Sequence, residues 1–172
     1  MPGFTAIELL IVVMVVAILA TLALPSFNSV VARYRVRTAV EDVTATIYFA
    51  RSEAIKRGGG VVLRKSTQAG CSAPEAKNWS CGWMVYADLN GNGTYEPNAD
   101  QLLQSTPAPR GVAVSNNNGT SYLRLNQWGE ISGMGALGVV IGPAGNADAA
   151  KKTFLCLSAG GRLQTGAGDC SG

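Results

Sequence analysis

The sequence predicts an α+β protein, a long N-terminal helix followed by a compact antiparallel β domain. Two observations predict it. The residues from Ile7 to Leu24 are almost all apolar, and the chain then continues into apolar positions at helical spacing. Beyond Gly58 the composition turns polar and rich in Gly, Asn, Ser and Thr, and short apolar runs alternate with turn residues. At 172 residues there is room for one ordinary domain plus an anchor.

The helix is expected from near Phe4 to about Lys56. From Leu9 to Leu24 the single polar residue is Thr21, and no charge occurs between Glu8 and Arg33. That is long enough to cross a hydrocarbon core as a helix, and it accounts for most of the mean hydropathy of +0.17. A secretory signal peptide would begin with a basic segment and end at a small-residue cleavage site. Here the apolar run passes directly into Phe27, Val30, Val31, Tyr34, Ala39, Val43, Ile47, Ala50 and Ala54, which recur at helical spacing. Arg33, Arg35, Arg37, Glu41, Asp42, Arg51 and Glu53 fill the polar side. Pro25 predicts a kink or loosening, and Gly58-Gly59-Gly60 predicts the stop.

Glu8 sits at the edge of the apolar run, where an unpaired carboxylate would cost several kcal/mol in lipid. No Lys or Arg precedes Arg33. The available cation is the α-amine created by a cut between Gly3 and Phe4, about one helical turn from Glu8 or supplied by a neighbouring subunit.

The β domain reads as Gly60–Leu63, Gly82–Ala87, Gln101–Gln104, Val112–Val114, Tyr122–Leu125, Leu137–Ile141 and Phe154–Leu157, arranged as a meander rather than a parallel sheet. Trp83 and Val85 are expected in the core with the apolar face of the helix. Ser115–Thr120 and Gly142–Ala147 read as exposed loops.

Cys71, Cys81, Cys156 and Cys170 all lie beyond the apolar run, and an even number points to two disulfides. Three pairings are open. Cys71–Cys81 and Cys156–Cys170 are preferred because each closes a short Gly/Ser-containing loop. Zinc would want tight CxxC spacing and usually His, and the chain has no histidine. The same absence removes Ser-His-Asp and Cys-His nucleophiles. No phosphate-cradling glycine motif is present, since Gly58-Gly59-Gly60 is followed by Val61. No catalytic residue and no cofactor are expected. Asp88, Asn90 and Asn92 imitate the start of a calcium loop, but the twelfth position is Ala99. Asn and Gly are also what a turn demands, and no metal is assigned.

The net charge of +3 is unevenly spread. Arg33–Lys65 holds eight Lys/Arg against three Asp/Glu, and Ser66–Gly172 six against seven. The basic excess beside the apolar helix suits anionic headgroups better than nucleic acid.

Gly3-Phe4-Thr5-Ala6-Ile7-Glu8-Leu9-Leu10 resembles the class III signal of type IV pilins and type II secretion pseudopilins. The resemblance implies a peptidase that cuts after Gly3 and methylates Phe4, with Glu8 as the assembly carboxylate. The family's leader normally carries Lys or Arg, which Met1-Pro2-Gly3 lacks. Phe49–Leu63, Cys81–Leu103 and Thr153–Gly166 resemble the FimT/FimU/GspH group of minor pilins and pseudopilins. The implied architecture is the pilin fold, with a membrane-embedded first half of the helix and two small sheets. It divides the chain into a leader (1–3), a transmembrane and assembly helix (4–25), an amphipathic continuation (26–57) and a β-rich domain (58–172).

The implied function is a minor type IV pilin that primes pilus assembly at or near the filament tip. Implied partners are other minor and major pilins, the prepilin peptidase, the inner-membrane assembly machinery and, before assembly, the membrane. The implied location is the inner membrane with the β domain periplasmic, then the pilus surface. One alternative is a DNA-binding minor pilin for DNA uptake. FimT-type proteins carry GRxR where this chain has Gly161-Arg162-Leu163-Gln164, leaving Arg162, Lys151 and Lys152 as a small basic patch. A further alternative is a minor pseudopilin of type II secretion.

Overall fold

The computed structural model describes residues 3, 5–67, 71–133, 137–145, 152–158, 161–166, 168 and 170, except the side chains of 20–26. Helix α1 spans Ala6–Arg57, and the helical backbone continues across Pro25. Its start is two residues later than the apolar pattern suggests, because Thr5 takes an extended conformation and caps the helix. Its end is where the glycines predict. Gly58 is left-handed at φ 74°, and the Gly59 amide donates back to the Ala54 carbonyl at 2.8 Å. Lys56 and Arg57 lie in the last turn, where cations complement the helix dipole.

Among the described residues eight strands follow, forming two four-stranded antiparallel sheets. β1 is Val61–Lys65, β2 Gly82–Ala87, β3 Gln101–Pro107, β4 Val112–Asn116, β5 Tyr122–Leu125, β6 Leu137–Pro143, β7 Thr153–Leu157 and β8 Leu163–Gly166. The first sheet runs β3-β2-β1-β5 and the second β4-β6-β7-β8. The order is therefore not a simple meander. After β3 the chain leaves the first sheet for β4, returns for β5, and leaves again for β6. Both sheets need the one apolar helix face, so neither completes its core alone.

That face is Val36, Ala39, Val43, Ile47, Ala50 and Ala54, all buried at a three-to-four-residue period. Val61, Leu63, Trp83 and Val85 meet it from the first sheet, and Val114, Leu137, Ile141 and Leu155 from the second. The alanines let the helix backbone approach. Trp83 fits because its indole N–H donates to Thr46 Oγ1 at 3.0 Å, and that hydroxyl donates to the Asp42 carbonyl at 2.8 Å.

Two sheet edges are covered from within the chain. The Trp79 amide donates to Val114 along β4, and the Ser132 amide to Arg124 along β5. The disulfides are Cys71–Cys81 and Cys156–Cys170, closing 10- and 14-residue separations. Lys65, buried at the end of β1, donates to the Ala73 and Glu75 carbonyls at 2.5 and 2.8 Å, holding the loop that the first disulfide closes.

Candidate functional site

At the helix start Thr5 and Glu8 form a reciprocal capping box. The Thr5 amide and hydroxyl both donate to Glu8 Oε2, at 3.0 and 2.9 Å, and the Glu8 amide donates to Thr5 Oγ1 at 3.4 Å. The carboxylate thus satisfies the Thr5 amide, and the Thr5 hydroxyl oxygen satisfies the Glu8 amide, two donors that the helix start leaves without an intrahelical partner. The sequence carried the signal, a Thr three residues before a Glu. Gly3 is exposed, with open space around its α-carbon. Phe4 lies outside the described residues. The large apolar side chains described between Ile7 and Leu19 are each 49–67% exposed. Among the described residues no helix is long and apolar enough to cross a membrane.

At the other end of the helix stands a site that sequence reasoning left on the solvated face. Arg51 donates from Nε to the Gly129 carbonyl at 2.9 Å and from Nη1 to the Gly161 carbonyl. It ties the β5–β6 turn and the segment before β8 to the helix. Gly161 is buried at φ +81°, and a Cβ there would overlap the Arg51 guanidinium. This fixes the glycine of the Gly161-Arg162-Leu163-Gln164 motif on structural grounds.

Arg162 is exposed, and its backbone closes on Ser158 by hydrogen bonds in both directions. With the Gln164 amide oriented to satisfy both partners, its oxygen accepts from Arg162 Nε at 3.1 Å and from Nη2. The residue standing where a second arginine would be therefore engages the first. Lys152, the other candidate cation among the described residues, is not beside it. Antiparallel pairing sets Leu163 against Leu157 at one end of β7, whereas Lys152 precedes Thr153 at the other. Five strand residues, about 17 Å, separate the two ends. Lys151 lies outside the described residues.

The calcium-like loop spends its oxygens on its own backbone. The Asp88 side chain is fully buried and accepts from the Gly91 and Gly93 amides at 2.9 and 2.8 Å. Arg124 Nη2 donates to the same carboxylate at 2.7 Å. Asp100 accepts from the Leu89 and Glu96 amides. Asn90 and Asn92 accept from the Asn92 and Thr94 amides. Tyr86 Oη and Arg64 Nη1 both donate to the Gly93 carbonyl, at 2.8 and 2.6 Å. Burial is the main reason the Tyr86 phenol is pushed up to about 12. This is a loop folded over the outer face of the first sheet and locked there.

A capped, largely apolar helix that extends beyond a two-sheet domain defines a pilin-like protein. Residues 39–161 match the family described as type II transport protein GspH. The chain belongs to that family, within the FimT/FimU/GspH group of minor pilins and pseudopilins. Two curated fimbrial proteins of Pseudomonas aeruginosa are each 34% identical to it over 91 residues, 53% of this chain and 54% of theirs. The chain thus spans about half the length of these relatives. Two crystal structures of the type IV minor pilin FimU of Pseudomonas aeruginosa share the fold. One superposes with a TM-score of 0.61 at 19% identity, covering 77% of this chain and 88% of that one. The other gives 0.58 at 18%, covering 76% and 91%.

Proposed function

We propose that this chain is a minor type IV pilin that primes pilus assembly and sits at or near the filament tip. The exposed apolar helix carries the reading. Its run of large side chains exceeds the ~300–600 Å² patch that a soluble monomer leaves to water. Before assembly the partner is the inner membrane, with the β domain in the periplasm. Afterwards it is the helices of other minor and major pilins, which replace lipid contacts by close packing. Prepilin peptidase cleaves after Gly3 and methylates Phe4. Glu8, which caps its own helix in the uncut chain, meets the new amine of this or a neighbouring subunit as the assembly machinery draws the chain in.

The test is Glu8→Ala. The β domain stays folded, and the variant falls at least several-fold in sheared pili relative to wild type. Wild-type incorporation would sink the role of Glu8. A bulky residue at Gly3 blocks processing, and mass spectrometry finding a mature Phe4 terminus in that variant would contradict the cleavage site.

The description of the matched family supports a type II secretion pseudopilin as the second reading. Deleting the gene separates them: loss of surface pili supports the first, and loss of secreted enzymes with intact pili the second. A DNA-uptake role is less favoured, because Arg162 is held by Gln164 and stands far from Lys152. Salt-sensitive micromolar DNA binding by residues 28–172, lost with Arg162→Ala, would restore it.

A further inference from the structure

Four cations from separate parts of the chain lie towards one pole of the β domain, at the end where the helix enters it. Arg33 and Arg35 lie on α1 three residues or fewer before Val36, the first buried residue among the described helix side chains. Arg35 reaches across to the start of β4. A Cβ on Gly111 would lie 3.1 Å from Arg35 Nη1, so the guanidinium stands against that exposed glycine, next to the exposed Arg110. The Gly111 carbonyl accepts from the Ala144 amide at 3.0 Å, joining this corner to the end of β6. Lys152 packs there too, since a Cβ on Gly142 would lie 2.9 Å from Lys152 Cγ. Arg33, Arg35 and Arg110 are exposed and Lys152 is half-buried. Among the described residues none of the four forms an ion pair, whereas Arg37 is neutralised by Glu41 at 3.1 Å.

This pole faces the apolar half of the helix. Arg33 is nine residues beyond Leu24, a rise of about 14 Å. Long arginine side chains can extend back along the helix, and the headgroup layer adds several ångströms on the other side. Arg33 therefore comes within about one Debye length of a bilayer surface at physiological salt.

Resting on the membrane-anchored reading above, we propose that Arg33, Arg35, Arg110 and Lys152 seat the β domain on anionic phospholipid headgroups before assembly. The partner is a negatively charged bilayer surface rather than one bound phosphate. The seat holds the domain at a fixed height and orientation while the helix is still in lipid, and it is given up when the chain is extracted.

The test uses the full chain in nanodiscs of phosphatidylcholine alone or with about one third phosphatidylglycerol. A fluorescent amino acid at position 144 reports contact with nitroxide-labelled headgroups. Quenching rises at least twofold with phosphatidylglycerol at low salt and returns to the phosphatidylcholine level at high salt. Arg35→Gln with Arg110→Gln, both surface changes, abolishes the rise. Equal quenching in the two lipids, or a rise that survives the double variant, overturns the proposal. Loss of the rise when duplex DNA is added at physiological salt also overturns it, in favour of a nucleic-acid surface. Co-elution with phosphatidylcholine discs tests the anchor separately. A chain that fails to co-elute there refutes the anchor, while its binding to anionic vesicles, wild type against double variant, still decides the seat.

Discussion

Arg51 shows how one side chain organises a domain. It is half-buried, and its donors reach carbonyls 78 and 110 residues away in sequence. Gly161→Ala would place a methyl on the guanidinium and force an L residue to φ +81°. We expect a loss of about 2 kcal/mol, read as a lower urea midpoint for residues 28–172. Arg51→Ala should cost about as much by leaving two carbonyls without their donor. The double variant should lose less than the sum, because the clash disappears with the guanidinium. Strict additivity would show that the two residues do not share one interaction. Tyr86 makes a second residue-scale prediction. Its phenol is pushed up from the ordinary 10.0 to about 12, so the folded state keeps a proton that the unfolded chain releases. That stability is complete below about pH 10 and is lost as pH rises towards 12, by about 3 kcal/mol. Tyr86→Phe should flatten this alkaline limb while keeping the loop closed, since Arg64 still donates to Gly93. An unchanged limb would assign the loss to other groups.

At the scale of elements, the Asp88–Asp100 loop and the two disulfides are the parts with most to lose. Asp88→Asn keeps the shape but replaces a charged acceptor facing Arg124 and two amides with one carbonyl and an unwanted donor. A loss of about 3 kcal/mol is expected, with faster hydrogen exchange at Gly91 and Gly93. An effect confined to the global midpoint, with no local change in exchange, would mean that the carboxylate does not hold the loop. Such side-chain geometry was not legible in the sequence, which offered the same residues to a turn more readily than to a calcium loop but did not say which groups would hold it. The strands were more open to reading. Gly82–Ala87 and Tyr122–Leu125 are bounded by turn residues and begin and end where their apolar patterns do. β8 was missed because Leu163-Gln-Thr-Gly carries one apolar residue, and its place is set by pairing with β7 and by the Cys156–Cys170 link. The sheet order was missed for a related reason. Nothing local tells β4 to join the second sheet; what decides it is competition of both sheets for one helix face. The capping box was legible at Thr5 and Glu8, but the apolar run drew the reading to the membrane first.

For the whole molecule, the helix divides by function near Val36. Among the described side chains, every helix residue in the core lies at Val36 or beyond, and the large apolar ones before it are exposed except Val31, which is half-buried. The domain should therefore not need the first half of the helix to fold. Residues 28–172, oxidised, should unfold in one cooperative transition within about 1 kcal/mol of the full chain in mild detergent. Removing either disulfide from that fragment should cost about 3 kcal/mol, as expected for closing loops of 10 and 14 residues. If instead the fragment melted early or non-cooperatively while the full chain did not, the N-terminal half would be contributing to the domain. Its exposed apolar face would then have a partner within its own chain. A fragment as stable as the whole means that the exposed half of the helix is left for what surrounds the protein. On that division, substitutions before Val36 change assembly without changing the midpoint, and those in the buried face change both.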